Sequence, residues 1–201
     1  DVVCATPAHV AAGLLAPFLD DNSAEHLASL PHPFVATVGL GFQSRDIEHP
    51  LDAFGLLVAS ESRLPPPCDV LGILFPSTIF PARAPRDAAT LSVMIGGARD
   101  PEAASLDDQA LVERAANAVR HMLGGRAQPT ISSVARWERA IPQYRPGHEN
   151  ATAELRRALR EMAGPHVVGN YLDGVGVEAT IASAERAVAE MLDPDNERPP
   201  T

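Results

Sequence analysis

Lysine is absent from this chain of 201 residues, and all sixteen basic side chains are arginine. That bias points to a GC-rich coding sequence rather than to a chemical requirement. Positive charge is scarce altogether, with a formal net charge of −10. A nucleic-acid partner, which demands a basic face, is therefore not expected. Cysteine occurs only at Cys4 and Cys68. Two isolated thiols make neither a disulfide framework nor a metal site, and both read as buried thiols in a reducing compartment. No apolar run approaches the roughly 20 residues of a membrane-spanning helix. No signal-peptide pattern opens the chain, which starts on Asp1 and enters the strand-like Val2–Ala5 directly. It is expected to be a piece of something longer. Histidines at 9, 26, 32, 49, 121, 148 and 166 show no ligand spacing and read as structural or surface residues. A serine nucleophile elbow, zinc spacing and paired catalytic carboxylates are all lacking.

What is present suffices for a buried core, as one large domain or two small ones. After Val2–Ala5, Thr6-Pro7 supplies an N-cap and a first-turn proline for a short helix through about Leu15. Asp20–Pro33 is polar and punctuated, and reads as a connector. Phe34–Phe42 is strand-like; Phe54–Ala59 and Val70–Phe75 form a hairpin-like pair around Pro65-Pro66-Pro67. Pro76–Asp87 reads as irregular and Ala89–Gly96 as a strand. Ser105-Leu106-Asp107-Asp108 looks like a capping-box start for a helix that Gly124-Gly125 ends. Ile131–Trp137 returns as a strand, and a helix follows around Thr152–Met162. His166–Gly169 reads as a short buried strand. Strands dominate the middle and helices flank the last strands, so the expected class is α+β: a mixed β-sheet with helices on one face.

Two stretches carry chemical interest. In Gly169-Asn170-Tyr171-Leu172-Asp173-Gly174-Val175-Gly176-Val177, a glycine-rich loop feeds a helix whose Val177, Ile181, Ala184, Val188 and Met191 form one apolar stripe. Gly174-x-Gly176-x-x-Ala179 mimics a dinucleotide turn, but no second strand with an acidic residue follows it. Two readings stay open at this point. The glycines serve only a tight turn, or they let the helix N-terminus approach an anionic or electron-rich ligand such as a flavin ring. The second stretch, Trp137–Tyr144, brackets Ile141-Pro142-Gln143 with two of the three Trp and Tyr side chains. These aromatics either plug a loop onto the core or form a wall against a flat ligand. Gly39-x-Gly41 has no helix after it and fails as a phosphate loop. Asn150-Ala151-Thr152 reads as a helix start, and Arg156-Arg157-x-x-Arg160 as a solvated helix face.

Together these motifs resemble the C-terminal part of oxygen-dependent protoporphyrinogen and coproporphyrinogen oxidases, within the flavin-containing amine-oxidase-like group. The matching residues are Arg136-Trp137-x-Arg139-Ala140-Ile141-Pro142-Gln143-Tyr144-x-x-Gly147-His148, then Gly169-Asn170, Gly174-Val175-Gly176-Val177 and Ile181-Ala182-Ser183. Phe54-Gly55-x-Leu57-Val58, Leu71-Gly72-Ile73-Leu74 and Val93-Met94-Ile95-Gly96-Gly97 fit in the same order. The similarity covers nearly all of residues 1–193.

The resemblance implies FAD as cofactor. Val175, Gly176 and Val177 would touch the flavin through backbone, Trp137 would lie near it, and Gly169-Asn170 would pass the ribityl–pyrophosphate region. Many relatives carry an acidic residue near Asn170, which is neutral here. Phe54, Leu57, Leu74 and Met94 would line an apolar porphyrinogen pocket. The implied reaction removes electron pairs from the porphyrinogen and passes them to dioxygen, releasing hydrogen peroxide, and no residue of this part is assigned as a general base. Residues 1–19 would end the first passage through the FAD-binding lobe and 20–165 would be most of the substrate-binding domain. Residues 166–195 would be the returning strand and helix of the FAD lobe, and 196–201 a tail. The family's N-terminal glycine-rich turn is not in this sequence. The expected partner is therefore the N-terminal half of the same enzyme, and the chain alone is expected to bind FAD weakly or not at all. A cytoplasmic location is expected; a homodimer and peripheral contact with the inner membrane stay open. Competing readings are a non-catalytic module and an amine-directed flavin oxidase. The apolar set Phe54, Leu57, Leu74 and Met94 argues against the latter.

Overall fold

Alternation along two long strands builds the larger of two cores. The computed structural model describes residues 2–59, 62, 69–125, 128–161 and 165–192. In chain order its elements are β1 (Val3–Cys4), α1 (Ala8–Leu15), α2 (Asp21–Ser29), β2 (Val35–Gln43), β3 (Gly55–Leu57) and β4 (Gly72–Leu74). There follow α3 (Pro76–Ile79), β5 (Ala88–Gly96), α4 (Asp108–Leu123), β6 (Ile131–Trp137), α5 (His148–Glu161), β7 (His166–Val167) and α6 (Val177–Leu192). The chain divides into two compact units, Pro33–Ala140 and the combination of Asp1–His32 with Ile141–Thr201.

In the Pro33–Ala140 unit the strand order is β3-β4-β5-β2-β6, antiparallel at every described pairing. Ala36, Val38, Leu40 and Phe42 of β2 point to the same side as Leu91, Val93 and Ile95 of β5, and all are buried. Leu111, Ala115, Ala118 and Val119 of α4 close this side. Their small alanines let the helix lie close to the sheet. The capping residue of α4 is Asp107, whose carboxylate accepts from Ala110 N–H at 2.8 Å. Ser105, read as the cap, instead donates to the Glu102 carbonyl. Gly124 (φ +71°) and Gly125 (φ +91°) end the helix as expected. Pro76–Asp87 is less irregular than expected, since α3 occupies its start.

In the other unit β1 and β7 pair in parallel, Val3 opposite His166 and Cys4 opposite Val167. Around them α1, α2 and α5 bury Ala8, Ala11, Leu15, Leu27, Leu155 and Leu159. The expected connector is thus half helix: Asp20 caps α2 by accepting from Ser23 N–H at 2.7 Å. Thr6 is no cap, because α1 follows Pro7 without a side-chain cap and the Thr6 hydroxyl meets Cys4 Sγ. α2 and α5 bury their apolar faces here, and the two compact units part at 32/33 and 140/141. α5 begins at His148, earlier than Thr152, with Asn150 in its first turn. The α6 stripe faces outward: Val177 is 79% and Ile181 55% exposed, while Ser183 and Ala187 make the buried face. Cys4 is a buried free thiol, as expected. Cys68, Pro65–Pro67, Met162 and residues 193–201 lie outside the described residues. Among the described residues no helix is long and apolar enough to cross a membrane.

Candidate functional site

The turn entering α6 is assembled from the strand side upward. Leaving β7, the chain swings through Gly169 at φ +154°, where a Cβ would stand 2.6 Å from the Tyr171 ring. Tyr171 and Leu172 then plug into the core, 1% and 2% exposed. Gly169 N–H donates to Ser183 Oγ at 3.4 Å, tying the turn to α6. Asp173 accepts two hydrogen bonds from Arg156, at 2.8 and 2.5 Å, and another from Arg186. The Arg156 guanidinium holds the Asp173 carboxyl below its ordinary range, and Arg156 itself is shifted upward. Arg156 is therefore no solvated helix residue, whereas Arg157 is exposed and pairs with Glu161 one turn on.

Past Asp173 the two glycines have different reasons. At Gly174 a Cβ would sit 2.6 Å from the Ala179 Cβ, so glycine lets the turn fold against the first turn of α6. At Gly176 nothing lies within 4 Å, and its backbone is not left-handed. Neither clash nor strain in this chain requires a glycine there. Val175, Gly176 and Val177 are exposed beside it. The helix's first N–H groups have no acceptor within the helix, and its dipole places partial positive charge at this end. Glu178 in the first turn offsets part of that charge. The donor set therefore fits an electron-rich ring edge better than a doubly charged phosphate. The residues present fit the flavin of the resemblance.

Within the Pro33–Ala140 unit, strand register gathers most of the expected pocket residues on one sheet face. Leu57 pairs with Gly72, Gly72 with Met94, Met94 with Thr37, and Thr37 with Ala135. The next row runs Gly55, Leu74, Ser92, Gly39, Ser133. Directly paired residues share a face, and this one is opposite to α4. Trp137, paired with Val35, lies on it too. Leu57 is 81% and Trp137 56% exposed. Between those rims stand Leu74 on β4 and Met94 on β5, followed toward β6 by the small Thr37, Gly39, Ser133 and Ala135. A Cβ at Gly39 would be 2.7 Å from Ser133 Oγ and one at Gly41 2.5 Å from Ile131 Cγ2, so β6 side chains lie flat over β2. Phe54, directly before β3, is exposed, and its carbonyl accepts from Phe75 N–H. Arg136, on the helix side of β6, donates to the carbonyls of Leu106 and Ala104 at 2.9 and 2.8 Å. That anchors the strand end which presents Trp137.

Tyr144 is not a bare aromatic wall. Its ring stacks on His148 at 3.9 Å and its hydroxyl donates to the Asn170 carbonyl at 2.6 Å. Sequence reasoning missed this pair; the only signal was their membership of the Pro142–His148 motif. Among the described residues no group of acidic, histidine or cysteine side chains could hold a metal ion.

Residues 1–192 match the model of the flavin containing amine oxidoreductase family, and the chain belongs to that family. It is 30% identical over 200 residues to a chloroplastic protoporphyrinogen oxidase of Nicotiana tabacum, covering 94% of this chain and 36% of that protein. It is 25% identical over 192 residues to the coproporphyrinogen III oxidase of Bacillus subtilis, covering 95% and 39%. A solved chain from Exiguobacterium sp. 255-15, provisionally described as a protoporphyrinogen oxidase, superposes with TM-score 0.77 at 21% identity, covering 94% and 40%. The chain thus spans well under half the length of these relatives.

Proposed function

We propose that the chain is the C-terminal part of an FAD-dependent porphyrinogen oxidase that converts protoporphyrinogen IX to protoporphyrin IX with dioxygen. The single observation that carries this reading is the open sheet face, on which Leu57 and Trp137 stand on the two edge strands with Leu74 and Met94 between them. A large flat macrocycle gains affinity there by van der Waals fit, and orientation by shape. In the other unit Val175, Gly176 and Val177 offer backbone and helix-dipole contact to the flavin ring, and Gly169-Asn170 line its ribityl side. FAD, when bound, supplies the electron transfer, taking electron pairs from the macrocycle and reducing dioxygen to hydrogen peroxide. The residues described bind and orient, and none is assigned a proton-transfer role. The N-terminal half expected from the relatives' length is the partner, and the outward stripe of α6 is the apolar surface it would cover. A cytoplasmic location, a homodimer and inner-membrane contact are left to fractionation and sedimentation.

Coproporphyrinogen III is the second reading, favoured by the Bacillus subtilis relative. Full-length protein is to be purified, its flavin spectrum recorded, and porphyrin fluorescence and peroxide followed with each porphyrinogen. Turnover of protoporphyrinogen supports the first reading and turnover of coproporphyrinogen alone the second. Flavin absorbance with neither turnover sinks both. The isolated chain is expected to carry less than stoichiometric flavin.

A further inference from the structure

We infer that Tyr144 and His148 are positioning residues that clamp the 169–174 turn and so fix where Val175–Val177 are presented; this rests on reading that segment as the flavin edge. The Tyr144 hydroxyl donates to the Asn170 carbonyl at 2.6 Å. That bond ties the start of the turn to the Tyr144 ring, something a phenylalanine could not do.

His148 takes the middle of the turn. Its Nε2 lies 3.1 Å from the Leu172 carbonyl, which can only accept, so Nε2 carries the proton. The ring is 5% exposed and Nδ1 is buried without a partner. Tyr144 stacks over this ring at 12°, so each aromatic fixes the plane of the other. Thr152, one helical turn along α5, lies 3.4 Å from Nε2 and buttresses the same edge.

The carbonyls held are those of Asn170 and Leu172, flanking the buried Tyr171. Arg156 and Arg186 hold the next residue, Asp173, by its carboxylate. Residues 170, 172 and 173 are thus tied by side chains from outside the turn. Immediately beyond, Val175–Val177 are exposed, with the Gly176 carbonyl accepting from the N–H and hydroxyl of Thr180. A ligand that reads backbone N–H groups needs those groups held in advance, since ordering them on binding would cost affinity.

The test uses full-length protein carrying Y144F, which keeps the stack and removes the hydroxyl. Two readouts are taken: amide hydrogen exchange across residues 169–177 without FAD, and FAD affinity by flavin fluorescence. Exchange at 169–177 is expected to quicken while the rest of the Tyr171 core stays protected, and the FAD dissociation constant to rise about tenfold. H148A should act similarly and H148Q, whose amide can still donate to Leu172, should recover most of the protection. Unchanged exchange in Y144F overturns the clamp. Faster exchange with unchanged FAD affinity overturns its role toward the cofactor. Absence of flavin binding by the unsubstituted protein sinks the flavin reading itself, while the exchange result still decides the clamp.

Discussion

Arg156 and Asp173 face each other in parallel, Nη1 to Oδ1 at 2.8 Å and Nη2 to Oδ2 at 2.5 Å, with Arg186 sharing the second oxygen. Two guanidinium groups on one half-buried carboxylate make a stronger arrangement than an ordinary surface pair. Removing the charge with Asp173→Asn leaves both arginines facing a neutral amide, and is expected to cost about 1–3 kcal/mol in denaturant unfolding. The acid dependence follows from the direction of the shift. The folded-state pKa lies below the unfolded 3.8, chiefly through the Arg156 hydrogen bonds. The stabilisation is therefore full above 3.8 and lost as pH falls through the lowered value. D173N should flatten that acid limb of the stability curve; an unchanged limb would show that the pair contributes nothing.

Tyr171 presents the opposite case, a cost rather than a support. Its hydroxyl is buried and has no hydrogen-bond partner, and burial pushes the phenol's pKa upward. The ring fills the core, while the oxygen loses its water without compensation. Tyr171→Phe keeps the ring and should raise stability by about 1 kcal/mol or leave it unchanged. A loss of stability on thermal or chemical unfolding would mean that the hydroxyl has a partner after all.

Strands β2 and β5 were legible because Ala36-x-Val38-x-Leu40 and Leu91-x-Val93-x-Ile95 alternate without interruption. The ends of α4 were legible to within a residue or two because Gly124-Gly125 follows a clear apolar period. α2 was not, since it buries only Ser23 and Leu27 and is otherwise polar. The stripe on α6 was visible but its direction was not. Periodicity cannot tell inside from outside when the packed face is made of serine and alanine. Arg156 looked solvated because its partner lies far along the chain, and Tyr144 looked like a wall because the Asn170 carbonyl carries no sequence signal. Leu57, Leu74 and Met94 were named by resemblance alone; their common face emerged only from strand register.

His26 gives the chain a second pH dependence, near neutrality. Its ring lies 5.2 Å from that of His148, and its pKa is lowered from 6.5, first by burial and then by His148. The neutral form is thus the one the fold prefers. The contribution to stability is full above 6.5 and is lost as pH falls through the lowered folded value. As pH falls below 6.5 the unfolding free energy should decline, and His26→Gln should make that decline shallower. Equal slopes in the two proteins would remove His26 from the account.

The glycines of the chain allow a sharper separation between fold and ligand. At Gly125, with φ +91°, a Cβ would come within 2.2 Å of the Asp46 carbonyl oxygen. Backbone cannot yield there cheaply, so Gly125→Ala should cost about 1–3 kcal/mol of stability. Gly176 is the reverse, with open space where its Cβ would go. Gly176→Ala should therefore leave unfolding within about 0.5 kcal/mol of the unsubstituted protein. If the space above Gly176 belongs to the flavin ring, the same methyl group intrudes on it, and FAD affinity in the full-length protein should fall by about tenfold or more. Intact stability with weakened flavin binding separates a ligand-contact glycine from a purely geometric one. Intact stability with intact binding would leave the turn without a role toward the ring.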